Sequence, residues 1–265
     1  MANTPPKAAF ETAFESRVDL KKRLHDEDTH CLRVATEAEI GFTLDAFFDP
    51  EGQSCVLFAA FLKAGQAELP WQEVVNIFNR NFSTTVIAIG GALKELNASR
   101  SLDLIWRQSD QMAGQIKDMK GPGFVTKEFG IQYLIQLDQV LNPGLFLDQR
   151  ANRRLLLQNL RSAPGPLLNL FSYTGAFSVL ANSVGISTVS VDVSRRYLKW
   201  EEQNYQINRF SCDSRRITED ALLYLERLKR RSETRFSGNT DKPFIPFRWV
   251  IIDPPTFSKS AEGDS

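Results

Sequence analysis

The sequence predicts an α/β protein in which a small α+β domain precedes a parallel, doubly wound sheet. Three observations predict it. From Ala151 onward, short apolar runs alternate with helical patterns, the order that folds into parallel strands joined by crossover helices. Over roughly residues 15 to 110, strand-like segments instead cluster around a strongly periodic helix, the pattern of a small α+β unit. The last strand-like run, Arg248 to Ile252, leads straight into Asp253-Pro254-Pro255. Such a run reads as a strand buried on both faces of a parallel sheet, with room for a carboxylate only at its end. The prolines stiffen the backbone there and present Asp253 beyond the strand, where open α/β sheets bind ligands.

The elements follow in order. A loose lead with Pro5 and Pro6 enters an amphipathic helix around Phe14 to Leu24, whose Lys21-Lys22-Arg23 run reads as a solvated face. Three strands follow, Thr29 to Ala35, Gly41 to Phe48 and Ser54 to Leu62, the last two joined by the turn Asp49-Pro50-Glu51-Gly52. Pro70 opens a helix reaching at least Phe78, and Thr84 to Ile89 and Leu102 to Arg107 are short strands. A hairpin is predicted from Phe124 to Leu137 around Phe129-Gly130, serving as a linker over residues 121 to 150.

Beyond Ala151 the predicted order is a helix to Leu160, a strand Leu167 to Phe171 and a helix to Ser183. A strand Thr188 to Val193 and a helix to Asn208 come next. Then follow a weak strand at Arg216-Ile217, a helix Ala221 to Arg231 and the closing strand. Ser232 to Pro246 is polar and reads as a surface insertion.

Composition narrows the function classes. With 32 basic and 32 acidic residues the formal charge is zero, which excludes a wholly basic nucleic-acid binder while leaving room for a local patch. Cys31, Cys55 and Cys212 are far apart and form no CxxC, so neither a zinc site nor a disulfide framework is expected, and a reducing cytoplasm fits. No targeting segment or membrane-length apolar run is present, so a soluble cytoplasmic protein without membrane or metal partners is expected.

Four strand ends carry polar residues. The segment Asn169-Leu170-Phe171-Ser172-Tyr173-Thr174-Gly175 joins strand to helix, and its single glycine permits a tight turn whose N–H groups can face a ligand. It is not the GxGxxG of a dinucleotide fold, which disfavours a nicotinamide oxidoreductase. Asp192, seventeen residues beyond Gly175, can accept hydrogen bonds from two ribose hydroxyls; the alternative is that Asp192 and Ser194 only cap the next helix. Asp220-Ala221 and Asp253 complete the set, all on one edge of the sheet.

Gly144 to Arg154, Asn169 to Gly175, Val191 to Trp200 and Asp253-Pro254-Pro255-Thr256-Phe257-Ser258 together resemble class I S-adenosylmethionine-dependent methyltransferases acting on large-subunit ribosomal RNA. The likeness is nearest to the guanine-N7 branch and more distant for the cytosine-C5 branch. It covers about Phe124 to Ser260.

The resemblance implies a Rossmann-like class I methyltransferase sheet, here expected to be truncated after the fourth of seven strands. It also implies S-adenosyl-L-methionine as cofactor and RNA, of the 23S type, as partner, with the domain at residues 15 to 120 in an RNA-binding role. Asn169, Phe171, Ser172, Tyr173, Thr174 and Gly175 would hold the methionine part, and Asp192 the ribose, with Ser194 and Tyr197 beside it. Asp220 and Ala221 would meet the adenine. Asp253 and Pro254 would lie between cofactor and acceptor base, and Phe257 would stack on an extruded base. Asp148 and Arg150 would close the cofactor pocket, Arg150 on the methionine carboxylate; the alternative is a salt bridge that pins the hairpin to the sheet. A silent RNA-binding module of the same fold, or a methyltransferase with another acceptor, stays open.

Overall fold

The computed structural model describes residues 5–63, 65–94, 99–102, 104–108, 124–137, 141–210, 213–236 and 246–254. The chain forms two compact units, Met1–Arg150 and Ala151–Ser265.

In the first unit, the helix predicted around Phe14 is two helices, α1 (Lys7–Glu15) and α2 (Val18–His25). The break is at Ser16, whose hydroxyl donates to the Ala13 carbonyl at 2.7 Å, the kind of local side-chain bond that competes with helix continuation. The basic run is divided between two roles. Lys22 is solvated, but Lys21 lies 4.5 Å from the centre of the Phe48 ring and donates to the Phe82 carbonyl.

Strands β1 (Cys31–Ala35), β2 (Thr43–Phe48) and β3 (Ser54–Leu62) form an antiparallel run, with the short helix α3 (Glu37–Ile40) between β1 and β2. Helix α4 (Trp71–Phe82) then carries the chain over to β4 (Thr85–Lys94), which pairs parallel to β3. A parallel pair needs such a crossover, and α4 supplies it. Strands β5 (Ser99–Ser101) and β6 (Trp106–Arg107) both pair antiparallel with β4. The pattern of the sequence missed β5, since Ser99-Arg100-Ser101 carries no apolar residue to signal it. The sheet is covered by α1 and α4 through an aromatic core in which Phe14, Phe78 and Phe82 meet at 4.5–6.1 Å. Burying each such ring contributes about 1.5–3 kcal/mol.

The hairpin β7 (Phe124–Glu128) and β8 (Ile131–Ile135) turns at Phe129 and Gly130, with φ of +54° and +76°. Two successive left-handed residues match the right-handed twist of a hairpin, and Gly130 supplies one at no steric cost. The hairpin is fixed to the first unit by Thr126 Oγ1 donating to the His30 carbonyl and by Phe129 N–H donating to Thr29 Oγ1.

Helix α5 (Arg150–Ser162) opens at the last residue of the first unit and leads into the second, which continues β9 (Leu167–Leu170), α6 (Ala176–Asn182), β10 (Thr188–Asp192), α7 (Arg195–Asn208), β11 (Ser214–Thr218), α8 (Ala221–Phe236) and β12 (Trp249–Ile252). The four strands are all parallel in the order β11-β10-β9-β12. That order is the doubly wound one, in which the chain direction across the sheet reverses between β9 and β12. Leu168, Leu170, Val191, Ala221 and Tyr224 form its core on one face.

Two expectations change. Helix α8 runs through Phe236, so the first part of the polar stretch is helical; residues 237–245 lie outside the described ones. The closing strand was expected to be buried on both faces. It instead edges the sheet of described strands, with Val250 48% and Ile252 62% exposed.

Candidate cofactor site

All four parallel strands of the second unit end on the same edge, and the order reversal between β9 and β12 makes that edge the place where such sheets bind ligands. The turn after β9 is the most distorted backbone there. Phe171, Tyr173 and Gly175 have φ of +57°, +51° and +76°, so two non-glycine residues hold the left-handed conformation within five positions. Backbone strain of this kind costs about 1–3 kcal/mol per residue and persists only where the surroundings enforce it.

Asp192 holds this turn at Tyr173. Its Oδ2 accepts from Tyr173 N–H at 2.9 Å and its Oδ1 from Ser194 N–H at 2.8 Å, so one carboxylate ties the turn after β9 to the turn after β10. Capping of α7 falls to Ser194, whose Oγ accepts from Tyr197 N–H at 3.3 Å. The capping alternative therefore describes Ser194 and not Asp192. A carboxylate offers about four acceptor positions and two are used here, which leaves two for a pair of neighbouring hydroxyls. The ring of Tyr173 meets that of Tyr197 edge-on at 4.5 Å, forming an aromatic wall beside the carboxylate.

The remaining predicted residues divide. Asp220 Oδ1 accepts from Leu222 and Leu223 N–H and caps α8 at the same sheet edge, while Ala221 is buried in the core. Asp253 and Pro254 are exposed at the end of β12, and Phe257 lies outside the described residues, as does Cys212. Asn169 is buried and its amide donates to Ser178 Oγ at 2.9 Å. The N–H of Gly175 donates to the Ser172 carbonyl, so it closes the turn.

In the first unit, Asp148 is exposed, and Arg150 donates from Nε to Glu128 Oε2 at 2.8 Å and from Nη2 to the Cys31 carbonyl. Arg150 thus ties Glu128 of the hairpin to Cys31 of β1, in an ion pair that does not include Asp148. A cavity of about 410 Å³ also lies in the first unit, lined by Lys21, His25, His30, Phe48 and Phe82 among others, and it contains none of the predicted site residues.

The sequence reading missed the residues beneath the turn. Asn204 Nδ2 donates to the Thr174 carbonyl at 3.0 Å, and Glu201, fully buried, lies directly under Gly175. Burial pushes the Glu201 carboxyl up to about 8 and Asp192 adds to that, while the Ser190 hydroxyl and Arg216 pull it down. Burial likewise raises Tyr205, with Glu201 adding to the rise. A signal existed in the helical spacing: Leu198, Glu201, Asn204 and Tyr205 share the inward face of α7, so a carboxyl stands where an apolar residue belongs.

The profile of a family described as S-adenosylmethionine-dependent methyltransferase matches residues 117–262, more than half of the chain. The chain belongs to that family. It is 30% identical over 245 residues to a ribosomal RNA large subunit methyltransferase K/L of Syntrophotalea carbinolica, an alignment covering 91% of this chain and 30% of that relative. A methyltransferase crystallised with SAH superposes with a TM-score of 0.69 at 24% identity, over 98% of this chain and 60% of that one. A SAM-dependent methyltransferase from Streptococcus mutans superposes at 0.67 and 24% identity, over 94% and 58%. The chain thus spans less than two thirds of each of these relatives. Membership settles the fold and the family's cofactor, S-adenosylmethionine, as the motifs implied. The carboxylate and paired aromatic rings on this edge suit the ribose and adenosine parts of that cofactor. Among the described residues no helix is long and apolar enough to cross a membrane.

Proposed function

We propose that this protein transfers a methyl group from S-adenosylmethionine to a base of large-subunit ribosomal RNA, with guanine N7 favoured over cytosine C5. The observation that carries the cofactor part is Asp192, held by two backbone N–H groups at the reversal edge with acceptor positions to spare. The RNA part is supported by the likeness to a ribosomal RNA large subunit methyltransferase and by the family motifs.

Bound cofactor supplies an electrophilic methyl group on sulfur. Asp192 would orient the ribose, and the turn from Phe171 to Gly175 would hold the methionine end beside Tyr173 and Tyr197. Asp220 would sit at the adenine. Asp253 and Pro254, at the end of β12 next to β9, would stand between the methyl group and the acceptor, with Phe257 as the stacking face. Arg150 is given a structural role, since its guanidinium already serves Glu128 and Cys31. Guanine N7 carries an available lone pair, so no side chain need remove a proton and the residues act chiefly by alignment. Cytosine C5 would need a cysteine nucleophile at C6. The preference for guanine rests on the likeness of Asp253 to Lys259 to the guanine branch.

Mass spectrometry of ribosomal RNA nucleosides, with and without the gene, tests this. Loss of one N7-methylguanosine from the large subunit is expected. Loss of 5-methylcytidine instead would overturn the base, and an unchanged set of modifications would overturn the ribosomal acceptor.

A further inference from the structure

Beneath the cofactor turn runs a buried chain of polar groups that no cofactor contact explains. Asn169 Nδ2 donates to Ser178 Oγ at 2.9 Å, Ser178 and Ser190 hydroxyls lie 2.7 Å apart, and Ser190 Oγ donates to Glu201 Oε1 at 2.6 Å. All four side chains are at most 2% exposed. The direction of the chain is fixed by its ends. Asn169 can only donate from Nδ2, and Ser190 spends its proton on Glu201, so Ser178 must donate to Ser190.

The far oxygen of Glu201 is then decisive. Glu201 Oε2 and Ser172 Oγ are both buried without a hydrogen-bond partner among the described residues. They are nevertheless close enough for the Ser172 hydroxyl to favour the ionised carboxyl. A hydroxyl can either donate to an ionised Oε2 or accept from a protonated one. The complete burial of Glu201, whose other oxygen meets only a serine, selects the protonated form, in which Oε2–H faces Ser172 Oγ. The same side chain fills the space under the turn: a Cβ on Gly175 would lie 2.3 Å from Glu201 Cγ, so the backbone rests directly on it.

We propose that Glu201 is a positioning residue that works as a neutral acid, its Oε2–H donating to Ser172 Oγ and its side chain propping Gly175, so that cofactor affinity falls when Glu201 ionises. The charged and titratable groups around it agree with this. Asp192, on β10, opposes ionisation; Arg216, on β11, favours it but is engaged by Glu202 at 3.7 Å and by Ser214; Tyr205, on α7, donates or accepts at Thr188. Burial outweighs Arg216, which places the ionisation near pH 8.

The inference rests on the cofactor reading above, and calorimetric titration of the whole chain with S-adenosylhomocysteine from pH 6 to 9.5 tests the two separately. For the wild type, affinity should hold to about pH 8 and then fall, by at most about tenfold per pH unit, the limit for one linked proton. Glu201→Gln, which keeps both a donor and an acceptor, should retain the affinity found below pH 8 and lose the step, leaving only the ligand's own titration. Glu201→Ala should bind more weakly at every pH. Should Glu201→Ala fail to fold, the comparison of wild type with Glu201→Gln still decides. Identical pH profiles for those two, or loss of binding by a folded Glu201→Gln, would overturn the proposal. Full affinity in Asp192→Ala would instead overturn the cofactor reading itself.

Discussion

The two units bury charge in opposite ways. In the first, each buried carboxylate with a resolved partner meets a cation: Arg33 grips Asp45 through two hydrogen bonds of 2.7 and 3.0 Å, and Arg150 reaches Glu128, which is fully buried. The Asp45 contact holds the Arg33 cation above its ordinary value, although burial still pushes Asp45 itself up. In the second unit, Glu201 is held by a serine hydroxyl and packed under a glycine. A buried ion pair fixes architecture at a desolvation cost, whereas a carboxyl among hydroxyls stays near its titration point and can respond to pH.

The largest effect is expected where a pair is broken. Glu128→Ala leaves the Arg150 guanidinium without its carboxylate and should lower stability by about 3–5 kcal/mol in urea unfolding. A loss below 1 kcal/mol, on the order of an exposed pair, would erase the contrast between the units.

Gly175→Ala comes next. It adds a Cβ against Glu201 at a residue with φ of +76°, and a loss of about 2–4 kcal/mol, read by thermal unfolding, is expected from strain and overpacking together. Tolerance of alanine would mean that the turn does not rest on Glu201.

The pH dependence sharpens the contrast further. The Glu201 carboxyl is raised from 4.5 to about 8, so the folded state binds the proton more tightly than the unfolded chain. Its contribution is complete below pH 4.5 and declines as pH rises to 8, by at most about 1.4 kcal/mol per pH unit. Glu201→Gln should flatten that slope in denaturant titrations at several pH values; an unchanged slope would remove Glu201 as its source. The smallest effect is expected at Ser194, where alanine removes the α7 cap for about 1 kcal/mol in the same assay.

Much of this was legible in the residue pattern. The alternation after Ala151 gave the parallel sheet because each strand and helix carries its own period, and the turn Phe129-Gly130 gave the hairpin because only certain residues accept its backbone. Strand β5 was not legible, having no apolar face, and neither was the break at Ser16, which depends on a single side-chain bond. The site was half readable. Asp192 stood at the right strand end, yet its grip on Tyr173 is a contact across nineteen residues that spacing does not encode. Glu201 was hidden for another reason: a glutamate in a helix ordinarily faces water, and only its position between Leu198 and Tyr205 pointed inward.

The central claim is that the second unit binds S-adenosylmethionine through the Asp192 carboxylate. Calorimetric titration at pH 7 of the wild-type chain and Asp192→Ala, with folding of each checked by circular dichroism, measures it directly. Binding of the wild type with a micromolar Kd, weakened by roughly 10–100-fold in the variant, is the predicted result. Equal affinity in a folded Asp192→Ala would contradict it.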